Sequence, residues 1–464
     1  GHVIPSTADK DPARRCLPYM RQYVQSECSY ERTNGSYIIT KHVPVTATMA
    51  YTKPSRREDF EIAIICGLPL EFNAVSLVLD EFWDGDGDPF GRSPGDINHY
   101  ITGRIGRYNV VLALLSHMGK VHTASAAASI RSSYGGVRLA LLVGICGGAP
   151  QAANGEDDEI LLGDVVISKT IVQYDFGRLY PDKFVRKTTF EGSLGTPNKD
   201  IRNLLITFET DIGLERLQRR TAFFLKQLQA NATGRKRHGR YSYPGTAEDK
   251  LFKAIYRHKH RVPCTCICRD CNSISDPVCD EALNSSCEEL GCEDVYLETR
   301  FQLEEKRQLE QDERDEAQEP TIHVGSIASG DVVMKSADER DRIARKEGVI
   351  AFEMEGAGIW EELPCIVIKG ISDYADCHKN KRWQDFAAAT AASTLKAILE
   401  RYIQTDKMFK GNRDPVEGEL IAQGASRYSC ECKRAHILEE SFKQQVLWSK
   451  GIKSAYEDVC DFHI

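Results

Sequence analysis

Apolar residues occur along this chain in continuous runs, and each run ends in glycine or in a short polar turn. Such short runs, rich in Val, Ile and Leu, are typical of strands that are buried on both faces of a parallel sheet. We predict strands at the runs that span 60–68, 108–116, 137–148, 163–177, 321–331 and 364–373.

Between these runs the spacing of apolar and small residues changes to that of helices, which we predict at 71–82, 120–134, 354–363 and 384–403. Because strands alternate with helices, the sequence predicts an α/β fold: a mostly parallel, mixed and twisted sheet flanked by helices. In such sheets ligands bind beyond the carboxyl ends of the strands. The turns "SHMGK", "GICGG", "SGD" and "GISD" all fall there.

The alternation predicts one large domain at 57–403, preceded by an irregular extension at 1–56 and followed by a polar extension at 404–464. A segment of different composition, about 208–320, interrupts the domain as a Cys-rich and charged insert. Within it we predict a helix at 247–260, "AEDKLFKAIYRHKH", and a solvated helix or spacer at 298–320. An amphipathic stretch lies at 436–452 in the C-terminal extension.

Charge and hydropathy exclude some classes of protein. The formal net charge is −8, so the chain as a whole lacks the excess of positive charge that is typical of nucleic-acid-binding proteins. The sequence has no apolar run long enough to cross a membrane and no signal-peptide core. We therefore expect a cytoplasmic protein with no nucleic-acid and no membrane partner. Among its 16 cysteines, Cys66, Cys146 and Cys365 lie in apolar runs, and we expect them to be reduced core thiols.

Two motifs, "FEMEGAG" and "GISDYAD", place three carboxylates next to segments that we predict to be buried: Glu353, Glu355 and Asp373. A buried carboxylate needs a partner, a ligand or a shifted pKa. Glu355, at the start of a predicted helix, suits a ligand with vicinal hydroxyls, and Asp373, at a strand end, suits an acid. The alternative is that both glutamates only cap the helix.

The Gly-bearing turns that contain Ser116, Gly119 and Gly147 permit two interpretations. They allow close approach of backbone amides to a ligand, or they are simply tight strand-to-helix turns. Neither ends in the Gly-Lys-Ser/Thr of a phosphate loop.

Taken in order, "IAIICGLPLE", "SHMGKV", "GICGG", "LGDVVIS", "GSIASGD", "FEMEGAG" and "KGISDYAD" resemble the nucleoside phosphorylase and nucleosidase superfamily. The chain looks closest to methylthioadenosine/S-adenosylhomocysteine nucleosidase-like domains, in particular to a fungal subgroup found in receptor-like proteins. "QYDFGR", "PDKFVRK" and "DYADCHKNKRWQDFAAATAA" resemble that subgroup.

The resemblance implies a role for each matching residue. Asp373 corresponds to the general acid that protonates N7 of a purine, and Ser372 holds it. Glu355 corresponds to the carboxylate that binds the ribose hydroxyls. Glu71 is the candidate for orienting the attacking water, although a shift of one residue would place Phe72 there. The remaining substrate-binding candidates are Met354, Glu353, Ser116, Gly119, Gly147, Ser329 and Lys369, the last in a position where relatives often have Arg.

The implied activity is hydrolysis of the ribose–purine bond of an adenosine-type nucleoside or nucleotide. Two alternatives stay open: a purine nucleoside phosphorylase, and a nucleoside-sensing module with weak or no catalysis. The turns where phosphorylases of this superfamily carry phosphate-binding arginines contain none here, which favours water as the nucleophile. The basic segment 178–187 leaves AMP and ATP open as substrates. The resemblance also implies a homo-oligomer.

The cysteine cluster of the insert predicts a possible structural zinc. Cys268 and Cys271 form a C-x-x-C pair that Cys264 or Cys266 would complete, with His258 or His260 as a further ligand. The alternative is a set of reduced thiols in a loop. We expect catalysis itself to need no cofactor.

Overall fold

A computed structural model describes residues 53–85, 87–150, 159–187, 194–234, 240–261, 265–271, 273 and 276–402, and the backbone of 28–33 and 36–41. The last two segments are strands β1 (Cys28–Thr33) and β2 (Ser36–Lys41), which pair antiparallel inside the segment that we predicted to be irregular. The amphipathic stretch predicted at 436–452 lies outside the described residues.

The described part of the main domain is built on a nine-stranded sheet with the order β12-β11-β8-β13-β7-β3-β6-β5-β4. Its pairings are mixed, which confirms the predicted fold class. Two short strands, β9 (Gly177–Leu179) and β10 (Phe184–Arg186), form a separate hairpin. The strands of the main sheet are β3 (Ile62–Cys66), β4 (Glu81–Phe82), β5 (Tyr100–Ile105), β6 (Tyr108–Leu114), β7 (Leu139–Gly148), β8 (Val165–Gln173), β11 (Ile322–Ser329), β12 (Val349–Glu353) and β13 (Cys365–Asp373).

One end of this sheet closes on itself. Strand β12 pairs in parallel with β11 and also pairs antiparallel with the end of β7, where Phe352 lies opposite Gly147. Strand β13 in turn pairs in parallel with β7 and antiparallel with β8. The five strands β7, β13, β8, β11 and β12 therefore form a ring, which brings distant segments of the chain together.

Helices surround the sheet. They are α1 (Pro69–Val78), α2 (Lys120–Ser133), α3 (Lys199–Phe208), α4 (Asp211–Gly234), α5 (Asp280–Asn284), α6 (Cys287–Leu290), α7 (Phe301–Gln311), α8 (Ala337–Glu347), α9 (Gly356–Ile359) and α10 (Gln384–Arg401). In the described residues no helix combines the length and the apolar character that a membrane crossing requires.

Helix α10 lies almost wholly inside the domain, which its small residues allow. Its buried hydroxyls satisfy themselves locally: Thr390 donates to the carbonyl of Ala387, and Ser393 donates to that of Ala389. Apolar residues of α4, including Leu225 and Leu228, belong to the same buried core, although α4 begins in the segment that we predicted as an insert.

Two predicted helices differ from the structure. The prediction at 247–260 was wrong, because the backbone there bonds to another segment instead of to itself: Glu298 donates to the carbonyl of Leu251, and Lys253 donates to that of Tyr296. The helix predicted at 354–363 is only the single turn α9, followed by Pro364. The charged segment 298–320 does contain the predicted helix, α7, which is largely exposed.

Candidate functional site

The carboxyl ends of three strands meet at Gly147. Asp373 of β13 lies opposite Gly147 on one side, and Phe352 of β12 lies opposite it on the other. A Cβ atom on residue 147 would lie 3.0 Å from Oδ1 of Asp373 and 2.8 Å from Cβ of Ala375, so only glycine permits this approach. The two segments that carry the predicted carboxylates are thereby brought to one edge of the sheet.

Asp373 is buried, and its carboxylate is held at both oxygens. Oδ2 accepts a hydrogen bond of 3.1 Å from the hydroxyl of Ser372, and Oδ1 accepts one of 2.9 Å from the backbone N–H of Ala375. Nζ of Lys379 lies 3.4 Å from Oδ2. Ser372 and the backbone of Ala375 thus fix the orientation of the Asp373 carboxylate.

The turn after Asp373 has a strained backbone and is held by hydrogen bonds from α8 and from the insert. Ala375 has φ 51°, a left-handed conformation that is uncommon without glycine. Arg340 of α8 donates to the carbonyl of Tyr374 at 2.7 Å, and the Tyr374 hydroxyl donates to Oδ1 of Asp249 at 2.7 Å. Arg300 pairs with Asp249 and also donates to that hydroxyl, so the turn is tied to the insert.

Glu355 lies at the start of α9, buried beside Lys369 of β13. Nζ of Lys369 donates to Oε2 of Glu355 at 3.0 Å, and it lies 3.8 Å from Oε2 of Glu353. Burial alone would lower the pKa of Lys369, but the charges of Glu355, Glu71 and Glu353 outweigh it and raise that pKa. The lysine therefore supplies the positive charge that keeps these carboxylates paired in the interior.

Glu353 takes the capping role that was the alternative interpretation. Its carboxylate accepts hydrogen bonds from the backbone N–H groups of Glu355 at 3.0 Å and Gly356 at 2.9 Å. Burial raises its pKa, which the charge of Lys369 opposes. Ser329 lies beside it on β11 and accepts from the N–H of Ala357 at 2.9 Å. Both residues position the start of α9.

Glu71 is held by three backbone amides. Oε2 accepts from the N–H groups of Gly67 and Leu68, each at 2.8 Å, and Oε1 accepts from that of Ile145 at 2.8 Å. Burial raises the pKa of Glu71, against the lowering effect of Lys369. Phe72, the alternative at this position, packs as a half-buried side chain against the apolar core.

The turn of "SHMGK" is open at its surface. Ser116 is exposed, with its hydroxyl 3.5 Å from Nδ1 of His122. Gly119 has φ 110° and is the N-cap residue before helix α2. Met354 is half-buried and directly follows β12.

The structure places further residues near this turn that the sequence analysis did not single out. Lys120 Nζ binds both oxygens of Asp175 at 2.7 Å, and its backbone N–H donates to Asp331 Oδ1 at 3.0 Å. Asp331 belongs to the "SGD" turn after β11, so the signal was present as a strand-end carboxylate. No feature of the sequence indicated a role in the site for Lys379, which follows Asp373 by six residues.

The cysteines of the insert gather into two groups. Within each group all ligand atoms lie within 4.8 Å of one another. The first group is His258, Cys287, Cys292 and His378, and the second is His260, Cys266, Cys268 and Cys279. Cys268 is thus among the gathered cysteines, whereas Cys271 lies apart with its Sγ 3.8 Å from the carbonyl oxygen of Asp276. Cys264 lies outside the described residues.

The expected core thiols are confirmed, since Cys66, Cys146 and Cys365 are buried and reduced. Burial raises the pKa of Cys146. The charge of Lys369 lowers the pKa of this thiol, and those of Asp373, Glu353 and Glu71 raise it.

Comparison with known proteins agrees with these motifs. A sequence model of the family described as "Phosphorylase superfamily" matches residues 61–232 and 274–404. A nucleotide-binding leucine-rich repeat (NLR)-like protein of Hyaloscypha variabilis is 31% identical over 361 residues, which cover 76% of this chain and 30% of that protein. This chain therefore spans about a third of that relative's length.

Two further relatives, a nucleosidase and a solved hydrolase, are more distant. A 5′-methylthioadenosine/S-adenosylhomocysteine nucleosidase of Mycobacterium bovis is 23% identical over 343 residues, covering 73% of this chain and 95% of that protein. The solved futalosine hydrolase of Helicobacter pylori is 16% identical with a TM-score of 0.41, over 74% of this chain and 98% of that one. Because the family model covers more than half of the chain, this protein belongs to the phosphorylase superfamily of nucleoside phosphorylases and nucleosidases.

Proposed function

We propose that the chain is a purine nucleosidase that hydrolyses the bond between ribose and the base of an adenosine-type nucleoside or nucleotide. The observation that carries the proposal is the pair of buried, separately positioned carboxylates, Asp373 and Glu355, at the strand ends around Gly147. Family membership and the distant nucleosidase relative support it.

Asp373 is the proposed general acid. Cleavage of the C1′–N9 bond leaves its electron pair on the purine, so an acid that protonates N7 neutralises the developing charge. The hydrogen bonds from Ser372 and from the N–H of Ala375 fix the carboxyl orientation. Ser372 and Lys379 lie at Oδ2, so the remaining acceptor site of Oδ1 is the one proposed to carry the proton to the base.

Glu355 is the proposed ribose ligand. The sugar gains oxocarbenium character as the bond breaks, and a carboxylate that binds its hydroxyls places negative potential beside that charge. Lys369 anchors Oε2 of Glu355 at 3.0 Å, which leaves Oε1 to the sugar. Met354, next in the chain and half-buried, is proposed to pack beneath the ribose.

Water is the proposed nucleophile. It adds to C1′ as the base leaves, and the Glu71 carboxylate accepts the proton that the water gives up, so that the products are free base and the sugar. Glu71 is the proposed orienting residue, because three backbone amides occupy three of the about four acceptor sites of its carboxylate and leave one for water.

The charges around the site favour water over phosphate. Among the described residues, Lys369 is paired with Glu355, Lys120 with Asp175 and Lys379 with Asp373. Arg340 is committed to the Tyr374 carbonyl and to Asp341. A phosphate dianion would need cations that are not already neutralised by carboxylates.

Product chromatography tests the proposal. The chain is incubated with adenosine, methylthioadenosine, inosine, AMP and ATP, each with and without inorganic phosphate. We expect free base from at least one adenosine-type substrate without phosphate. Release of base only with phosphate would make the chain a phosphorylase, and release from none of these substrates would contradict the proposal.

A further inference from the structure

The first histidine–cysteine group joins the insert to the loop that carries Asp373. His258 belongs to the insert, Cys287 is the first residue of helix α6, Cys292 follows that helix, and His378 follows Asp373 by five residues. The two Nδ1 atoms are 3.3 Å apart. Sγ of Cys287 lies 3.4 Å from Nδ1 of His378 and 3.7 Å from Nδ1 of His258. Sγ of Cys292 lies 3.8 Å from each of the two Nδ1 atoms.

These separations are those of ligands around a tetrahedral ion. With zinc–nitrogen bonds of about 2.05 Å and zinc–sulfur bonds of about 2.3 Å, tetrahedral ligands lie about 3.3 Å apart for two nitrogens and about 3.6 Å apart for nitrogen and sulfur. The observed N–N separation of 3.3 Å and N–S separations of 3.4 to 3.8 Å agree with this geometry.

The other ring nitrogen of each histidine, Nε2, already has a hydrogen-bond partner. Nε2 of His378 lies 3.0 Å from the carbonyl oxygen of Tyr256, and Nε2 of His258 lies 2.9 Å from that of Ser285. A carbonyl oxygen only accepts, so both Nε2 atoms carry hydrogen, and in neutral rings both Nδ1 atoms present lone pairs. Two buried lone pairs that face each other at 3.3 Å repel unless a proton or a metal ion lies between them, and a backbone carbonyl on the second nitrogen is typical of metal-bound histidine.

The second group lies wholly within the insert. Nδ1 of His260 lies 3.6 Å from Sγ of Cys266 and 3.6 Å from Sγ of Cys279, and the sulfurs of Cys268 and Cys279 are 3.6 Å apart. The backbone N–H of Cys279 donates to the sulfur of Cys268 at 3.4 Å, and that of Ala282 donates to the sulfur of Cys279 at 3.5 Å. Such N–H donors stabilise thiolate ligands.

The cysteine-bearing part of the insert, 258–292, has little apolar core with which to order itself. Its separate buried cluster consists of Cys268, Ala282 and Leu290, with a few half-buried cysteines and Val278 around them. A core of this size does not offset the conformational entropy of the segment, and a structural metal commonly supplies the difference.

We propose that each group binds one Zn²⁺ ion: His258, Cys287, Cys292 and His378 as an S₂N₂ site, and His260, Cys266, Cys268 and Cys279 as an S₃N site. Four-coordinate sulfur and imidazole ligands favour zinc in a closed, structural role. The S₂N₂ zinc links the insert to the 373–378 loop, in addition to the hydrogen bonds of Tyr374 with Asp249 and Arg300. The effect of this zinc on catalysis rests on the proposed function of Asp373. Zinc binding itself does not depend on that function.

Metal analysis of the purified full chain tests the sites directly. After gel filtration we expect about two zinc ions per chain from the two groups. His378→Ala and Cys268→Ser are each expected to lose one of them. The matched controls are Cys377→Ser, next to His378 but outside both groups, and Cys271→Ser, and both are expected to keep the full zinc content. A chain without bound zinc, or a His378→Ala variant that retains both ions, overturns the proposal.

A cobalt spectrum separates the two sites even if a variant folds poorly. The wild-type chain refolded with Co²⁺ is expected to show visible absorption of tetrahedral Co²⁺ with sulfur charge-transfer bands. His378→Ala is expected to keep the spectrum of the S₃N centre, and Cys268→Ser that of the S₂N₂ centre. Absence of tetrahedral cobalt absorption from the wild-type chain contradicts both sites.

Kinetics test the connection to Asp373. In a folded His378→Ala chain we expect kcat for base release to fall about 10-fold or more with little change in KM, because a small displacement of the acid slows chemistry without removing substrate contacts. Cys268→Ser is expected to change kcat less. Unchanged kcat in His378→Ala would refute the connection. A wild-type chain that binds two zinc ions but releases no base would refute the proposed function alone.

Discussion

Gly147 and Asp373 lie so close together that a methyl group on residue 147 would press against the carboxylate of Asp373. A Cβ atom on Gly147 would lie 3.0 Å from Oδ1 of Asp373 and 3.1 Å from the N–H nitrogen of Ala375, which donates to that oxygen. The glycine is therefore part of the positioning of the proposed acid.

Gly147→Ala is expected to lower kcat about 100-fold, because the added methyl displaces the carboxyl from its position by a fraction of an ångström or more. Base release under saturating substrate measures this effect. The matched control is Gly135→Ala, where a Cβ atom has no neighbour within 4 Å. Equal kcat values for the two variants would show that the approach of Gly147 does not position Asp373.

Glu355→Gln is expected to reduce the preference for ribose over 2′-deoxyribose. An ionised carboxylate gains about 1.5–3 kcal/mol from a charge-assisted hydrogen bond, and the amide loses that gain. We therefore expect kcat/KM for the ribonucleoside to fall about 10- to 100-fold, with a smaller fall for the 2′-deoxy analogue.

The ratio of the two kcat/KM values is the measurement. The exposed Glu361→Gln variant on the same stretch of chain serves as the control and should keep the wild-type ratio. An unchanged ratio in Glu355→Gln would mean that this carboxylate does not bind the 2′-hydroxyl.

The sequence predicted the parts of the site that depend on local pattern. Buried runs located the central strands, and because parallel strands end at one edge, Glu355 and Asp373 were expected together. The pairing of Phe352 with Gly147 joins segments that are far apart in the chain, and no local pattern predicts it. The ring of strands therefore became visible only in the structure.

In the insert, too, the local sequence pattern did not predict contacts between distant segments. The spacing of Cys268 and Cys271 suggested one metal site, but the fold places Cys268 beside Cys279 and directs Cys271 toward a backbone carbonyl. The helical pattern at 247–260 was overridden because the ring of Phe252 packs against His378 and the backbone of Phe252 pairs with that of Leu297. Tertiary contacts decided both outcomes.

Asp164 is expected to make stability depend on acid pH. It accepts hydrogen bonds from the N–H groups of Leu161 and Thr321, and it pairs with Lys306 and His323. Burial alone would raise the pKa of Asp164, but Lys306 and His323 outweigh it and hold that pKa below its ordinary value. The stabilisation is therefore fully present above the ordinary carboxyl pKa and is lost as pH falls through the lower, folded value.

Asp164→Asn should lower the free energy of unfolding by about 3–5 kcal/mol at pH 7, because a buried ion pair loses one partner. Urea titrations from pH 7 downward measure it, and the gap between wild type and variant should narrow only below the ordinary carboxyl pKa. The exposed Asp294→Asn variant, which loses a surface pair with Lys250, should change the free energy little. A gap that widens toward low pH would have the wrong sign for this account.

The most direct test of the central claim is base release by Asp373→Asn, measured beside wild type on the best substrate, together with substrate binding by calorimetry. The amide keeps the shape of the carboxyl but cannot deliver its proton, so we predict a kcat reduced about 100- to 10,000-fold with binding retained. The surface variant Asp294→Asn should match wild type. Undiminished turnover by Asp373→Asn would contradict the account, because base departure would then need no acid at this position.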